Sequence, residues 1–199
     1  NMVEGIVRGL PEKSAAKNDT LNIIQGWVEP SDMREIKRMA KEMGVPVTVF
    51  PDTSGVLDST MTGHAEMYPK GGTPVADVVA SGASKHTLAL GHFASEAGAK
   101  ALEVKCGVPY TALSLPIGIS ATDRFVQALS DLSGKPVPES LADERGRLVD
   151  FITDMQQYFW GKRVALWGDP DQLVALSEFL ADIDMRPVYV VSGTPGKAF

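Results

Sequence analysis

Residues 21–50 read LNIIQGWVEPSDMREIKRMAKEMGVPVTVF, and this stretch decides the fold class. It opens on an apolar run, 21–28, that is short enough for a buried strand. Apolar side chains then recur at spacings of three and four residues, at Met33, Ile36, Ala40 and Met43. This periodicity predicts a helix with Ser31 as its N-cap and Gly44 just after its end. A second apolar run, 45–50, follows, so the stretch predicts a strand–helix–strand unit.

Apolar runs and helical patterns alternate in the same way along the rest of the chain. The runs are continuous, as in sheets covered on both faces, so the sequence predicts an α/β protein built of Rossmann-like parallel βαβ units. One complete unit is predicted over 21–133, and the first βαβ of a second, incomplete unit over 162–199. Residues 1–20 are expected to be a lead-in segment with little fixed structure, and 134–161 to hold a long connecting helix.

The connecting helix is predicted to span about 140–160, with Ser140 and Asp143 in the form of a capping box. Its apolar stripe is expected to be buried: Leu141, Leu148, Ile152, Met155 and Phe159. On the same helix, Asp150 and Asp154 are four residues apart and therefore share a face. The spacing alone favours a solvated acidic face; the alternative is half of a divalent-cation site completed by carboxylates from another segment or chain.

The composition limits the function classes. The 199 residues are 44% hydrophobic and 22% charged, which is typical of a globular protein with a real core. A net charge of −6 argues against a nucleic-acid partner. No apolar run approaches the ~18 residues of a membrane span, and no secretory signal is recognisable, so the expected compartment is the cytoplasm. The first and last residues suggest a piece of a longer protein.

Nucleotide-binding motifs are not found in the sequence. The turn after the strand predicted at 162–167 lacks the glycine spacing of a dinucleotide fingerprint. The stretch GTPGK at 193–197 has too short a gap between its glycines for a P-loop, and Ala198 stands where a magnesium-binding Ser or Thr belongs.

The cysteine and two histidines are weak candidates for chemistry. Cys106 is the only cysteine, which excludes a disulfide or a cysteine-built cluster within this chain alone. We expect it to be a small buried apolar residue, because no histidine is near it in sequence to activate a nucleophile. His86 and His92 flank a predicted strand, but two histidines without a third ligand make a poor metal site.

Six stretches resemble the beta subunits of nitrogenase component 1. They are LNIIQGWVEP at 21–30, PDTSGVLD at 51–58, MYPKGGT at 67–73, PIGISATD at 116–123, ERGRLVD at 144–150 and WGDPD at 167–171. The resemblance covers nearly the whole chain from about residue 21, and the RLVD wording is similar to the molybdenum–iron type. Cofactor-assembly scaffold proteins share the architecture and are the main alternative, and vanadium–iron or iron-only beta subunits are another.

The resemblance implies an α2β2 protein, formed with an alpha subunit and a second beta subunit, that reduces dinitrogen with electrons from an ATP-driven iron protein. Its subunits each hold three Rossmann-like domains, of which this chain would supply the middle one and the start of the third. The parent complex would carry a P-cluster and an iron–molybdenum cofactor. Cys106 matches none of the P-cluster cysteines, so the chain by itself is expected to hold no catalytic or cofactor-binding residue and to be inactive.

One site residue pair does carry over from the family. In the molybdenum type, two aspartates of this helix help to bind a metal ion between the two beta subunits, and they match Asp150 and Asp154. The resemblance therefore raises the metal interpretation of this pair above the solvated one, with the remaining ligands expected from the first domain of the other beta subunit.

Overall fold

The computed structural model describes residues 2–61, 63–64, 66–67 and 69–194. Contacts between residues divide the chain into two compact units. The first unit runs up to Leu90 and includes Ala94–Ala112; the second holds Gly91–Phe93 and the chain from Leu113 onward.

A four-stranded sheet is the centre of the first unit. Its strands are β1 (Leu21–Ile24), β2 (Val47–Val49), β3 (His86–Leu90) and β4 (Tyr110–Leu113), in the order β2-β1-β3-β4. β1 pairs in parallel with both β2 and β3. All four β1 side chains are buried, as are four of the five in β3, which is the burial that continuous apolar runs predict for a covered parallel sheet. The predicted α/β class with parallel βαβ units is confirmed.

The helices of the first unit are α1 (Met2–Gly9), α2 (Pro30–Glu42), α3 (Val75–Ala80) and α4 (Glu96–Cys106). α2 buries Met33, Ile36, Met39 and Ala40, so the helix predicted from the apolar spacing is confirmed. Its predicted N-cap, Ser31, is wrong: the cap is Glu29, whose backbone N–H donates to Asp32 at 3.0 Å. Proline tolerates the first helical position because it has no N–H to pair there, and the helix therefore begins at Pro30.

The lead-in 1–20 differs from expectation, because its first half is α1. Val3 and Val7 are buried, four residues apart on one helical face, and belong to the same core cluster as Leu102 of α4. The helical pattern is hard to recognise in the sequence, because α1 is short and contains Gly5 and Gly9. Packing supplies the stability that an isolated helix of eight residues lacks.

The second unit contains α5 (Gly118–Ser133), α6 (Glu139–Phe159), β5 (Arg163–Gly168), α7 (Pro170–Asp182) and β6 (Arg186–Ser192). β5 and β6 pair in parallel with α7 as their connection, which is a βαβ unit. Asp169 caps α7 by accepting a hydrogen bond from the Asp171 backbone N–H at 3.1 Å.

Two predictions about α6, its capping box and its buried apolar stripe, are wrong. Its N-cap is Pro138 and no side chain caps it, so the capping box of Ser140 and Asp143 does not form. Leu141 is the only buried residue of the helix, while Leu148 is 42% exposed and Ile152, Met155 and Phe159 are partly exposed. Periodicity shows which face of a helix is apolar, but only a packing partner buries that face.

The division into units also differs from the predicted boundary at 133. α5 packs with α7 in the second unit, where Arg124 pairs with Glu178 at 2.6 Å and the Ser120 N–H donates to Asp182 at 3.3 Å. A Cβ on Gly118 would lie 2.5 Å from the ring of Phe179, so glycine permits this close packing. The assignment of these units to the middle and third domains of a longer protein stays a prediction.

Candidate functional site

The carboxyl edge of the first sheet is where an open parallel α/β sheet normally binds a ligand. In the strand order β2-β1-β3-β4, this rule selects the position between β1 and β3, because β1 leads on to β2 at one edge of the sheet and β3 to β4 at the other. Gly26 follows β1 with φ +68°, and a Cβ there would lie 3.1 Å from both the Leu90 carbonyl and Ser95 Oγ. The loops after β1 and β3 are thus in direct contact.

The loop that begins at residue 51 is held by a charged network at the same edge. Asp52, whose side chain is 7% exposed, accepts from Lys37 Nζ at 2.6 Å and from Ser54 at 2.6 Å through its hydroxyl and 2.8 Å through its backbone N–H. Lys37 Nζ also donates to Ser54 Oγ at 2.6 Å. Burial raises the pKa of Asp52, but the hydrogen bonds from Lys37 and Ser54 outweigh it and leave the pKa below its usual value.

This network is structural in its chemistry. Lys37 Nζ and the Ser54 hydroxyl are both engaged with the buried Asp52 carboxylate, and these contacts hold the loop in place. Thr73, at the far end of the loop, accepts from the Asp52 backbone N–H at 3.2 Å and donates to the Val49 carbonyl. The network therefore ties both ends of the loop to β2. Sequence reasoning missed it, because its members are distributed over a helix and two loop ends.

Cys106 lies in the apolar core of the first unit, as predicted. It is 2% exposed and packs among buried residues of α1 and α4. A Cβ built on Gly82 would lie 2.9 Å from its Sγ, which shows how closely the backbone covers the thiol. An iron–sulfur cluster needs several accessible thiolates, so Cys106 does not fit such a group.

The two histidines fall in different units. His86 is at the start of β3, where its Nε2 lies 2.9 Å from Thr111 Oγ1; burial lowers its pKa, and the charge of Glu103 partly opposes that effect. His92 is exposed in the short segment that belongs to the second unit.

Asp150 and Asp154 are both exposed on α6, one turn apart. Neither carboxylate has a hydrogen bond or ion pair among the described residues, and no group of three or more His, Cys, Asp or Glu suited to a metal ion occurs in that part of the chain. The pair fits a hard cation chemically but supplies only two ligands, where Ca²⁺ takes 6–8 oxygens. Any cation there needs ligands from outside the described residues.

The β5–β6 sheet of the second unit has one covered and one open face. On the open face Trp167 is paired in register with Val191, and Ala165 with Tyr189. Trp167 is 80% exposed and Tyr189 66% exposed. A parallel sheet is normally covered on both faces, so this surface has the character of a packing face. Within the described residues, Trp167 and Tyr189 therefore stay uncovered.

The GTPGK stretch lies mostly outside the described residues, which end at Thr194. No helix within the described ranges is both long and apolar enough to cross a bilayer.

Comparison with known proteins places the chain in a family. The model of the nitrogenase component 1 type oxidoreductases matches residues 1–199, and the chain belongs to that family. Within it, the chain is 54% identical over 199 residues to the nitrogenase molybdenum-iron protein beta chain of Clostridium pasteurianum, covering all of this chain and 43% of that one. The resemblance to a beta chain of the molybdenum–iron type is thereby confirmed.

The chain is also similar to other nitrogenase beta chains and to a solved nitrogenase structure. The chain is 36% identical over 197 residues to the molybdenum-iron protein beta chain of Azotobacter vinelandii, with 38% of that chain covered. It is 37% identical over 187 residues to a vanadium-iron protein beta chain of Trichormus variabilis, with 40% covered. The structure "Nitrogenase Cp1 at pH 6.5" superposes with a TM-score of 0.96 at 55% identity, over 98% of this chain and 43% of that one. The chain thus spans less than half the length of these relatives.

Proposed function

We propose that this chain is a structural part of the beta subunit of a nitrogenase component 1, which reduces dinitrogen to ammonia with electrons from an ATP-driven iron protein. The observation that carries the proposal is the 54% identity along all 199 residues to a molybdenum-iron protein beta chain. Because the chain spans 43% of that relative, the activity belongs to the longer protein, with an alpha subunit and a second beta subunit as partners.

The described residues support a framework role within that subunit. The loops after β1 and β3 touch at Gly26, the single thiol of Cys106 is buried, and the long loop is fixed through Asp52. The P-cluster and the iron–molybdenum cofactor would be held by parts of the complex outside this chain. On this proposal the isolated chain is inactive.

A segment exchange tests the proposal. The matching segment of the Clostridium pasteurianum beta chain is replaced by these 199 residues, and the chimera is produced with its alpha subunit. We expect an assembled α2β2 protein that reduces dinitrogen when the iron protein and ATP are supplied. Assembly without any reduction would favour the alternative, a cofactor-assembly scaffold. A chimera active only in a vanadium-iron or iron-only complex would favour the other beta-subunit types.

The same proposal assigns Asp150 and Asp154 to a divalent-cation site between two beta subunits. Their support is the shared face of α6, their exposure, and the absence of competing partners among the described residues. Two carboxylates alone bind weakly, so calorimetric titration of the chain with Ca²⁺ or Mn²⁺ should show at most millimolar affinity, about −4 kcal/mol.

In the chimeric assembly, anomalous scattering should show a metal that disappears when Asp150→Asn and Asp154→Asn are combined. The exposed Asp143 on the same helix provides the control, since Asp143→Asn should leave the metal in place. A metal that persists in the double variant, or micromolar binding by the isolated chain, would contradict the inter-subunit site.

A further inference from the structure

We propose that residues 2–19 form a strap that opens as a unit from the otherwise folded first unit, and that its opening controls access to the Cys106 thiol. The inference goes beyond the proposed function and does not depend on it. The strap consists of α1 and the chain that follows it up to β1.

Three buried side chains anchor the strap, and they share a spacing of four residues: Val3, Val7 and Pro11. Beneath them, α4 presents Gly98, Leu102 and Cys106 at the same spacing. A Cβ on Gly98 would lie 2.7 Å from Val3 Cγ1, so glycine allows the two helices to approach closely. The docking face is therefore a specific fit between two helical stripes.

Lysines from both sides complete the docking. Lys105 Nζ of α4 donates to the Val7 carbonyl at 3.2 Å and the Arg8 carbonyl at 2.8 Å, and so satisfies the end of α1, where cations are favoured. Lys17 Nζ of the strap donates to the carbonyls of Gly82 at 3.0 Å and Cys106 at 3.2 Å. The strap is thus held at two points, at the end of α1 and again at Lys17 near the strap's own end.

The strap passes directly over the thiol. Cys106 Sγ lies 4.0 Å from the Pro11 carbonyl, and the Glu12 N–H donates to the Val79 carbonyl at 3.0 Å. A Cβ on Gly82 would collide with the Glu12 carbonyl. Opening of the strap would therefore remove the cover that Pro11 provides on one side of the thiol, without removing any strand of the sheet.

The strap should open more readily than the unit unfolds. It contributes no strand to the sheet, most of its side chains are exposed, and a helix of eight residues has little stability by itself. Segments with few buried contacts open locally at lower free energy than the core. The core around β1 and β3 has far more buried apolar surface and should remain closed.

Because Cys106 is the only cysteine, thiol labelling of the 199-residue chain has a single site, and its urea dependence distinguishes opening of the strap from unfolding of the whole unit. We expect the rate at which an aromatic disulfide labels Cys106 in native buffer to change only weakly when low concentrations of urea are added. Val7→Ala should speed it roughly tenfold or more, which corresponds to about 1.4 kcal/mol or more of docking free energy. Val49→Ala makes the same change at a buried position in β2 outside the Val3–Val7 cluster and should leave the rate unchanged.

Two results would overturn the proposal. One is a labelling rate that shows the full urea dependence of global unfolding, because the strap would then not open separately. The other is equal acceleration by Val7→Ala and Val49→Ala. If Val7→Ala does not fold, Lys105→Met serves instead: it removes only the two bonds to α1 and should raise the rate a few-fold, and an unchanged rate would also contradict a strap held at this point.

Discussion

The charged network around Asp52 should contribute measurably to the stability of the first unit. Asp52→Asn keeps the size of the side chain and one carbonyl acceptor, but it removes the negative charge that Lys37 and Ser54 bind. Hydrogen bonds to a charged group contribute about 1.5–3 kcal/mol each in buried settings. Lys37 is 38% exposed, so solvent screening reduces the expected loss to about 1–2 kcal/mol of unfolding free energy at pH 7.

The pH dependence of this contribution has a definite sign. The pKa of Asp52 in the folded chain is below the ordinary 3.8, so the unfolded chain binds the proton more readily. The stabilisation is complete at pH values well above 3.8 and is lost as the pH falls through that value and then through the lower folded pKa. Asp52→Asn should therefore differ from the parent chain at pH 7 and differ less at pH 3.

Urea unfolding followed by circular dichroism at both pH values measures the effect. Asp58→Asn is the matched control, because Asp58 pairs with Arg34 at the solvent-exposed surface and its loss should change stability little. Lys37→Met and the double variant complete a cycle that isolates the coupling between the two charges. The reasoning fails if Asp52→Asn is as stable as Asp58→Asn at pH 7, or if its deficit is the same at pH 3.

Two further outcomes follow from the fold. Backbone amides of β5 and β6 should exchange with solvent earlier than those of β1 and β3 in native-state hydrogen exchange, because Trp167 and Tyr189 lie on an uncovered sheet face; equal protection would mean that the face is covered in solution. His86 should titrate below the usual histidine range, since burial favours its neutral form, so stability should decline as the pH falls below ~6.5. His86→Gln should remove that part of the decline, and a proton-NMR titration midpoint at or above ~6.5 would show that the imidazole is not desolvated.

The sequence determined the fold class because the signals for it are local. Apolar runs at β1 and β3 and the three-and-four spacing in α2 depend only on neighbouring residues, and both signals correspond to observed elements. The burial of Cys106 was also predictable from its place at the end of an apolar helix. Helix ends were less predictable, as Glu29 shows, since several nearby side chains can cap and the geometry selects one.

Tertiary structure alone decided what depends on contacts distant in sequence. α1 forms because α4 offers it a matching face, and the apolar stripe of α6 stays largely uncovered because no described element lies over it. The Asp52 network joins residues from a helix and two ends of one loop. The local pattern of the sequence specifies which side chains are available for packing. The free energy of packing is gained only between surfaces that the fold brings together. Burial, the grouping of elements into units and the charged network were therefore decided by the tertiary structure.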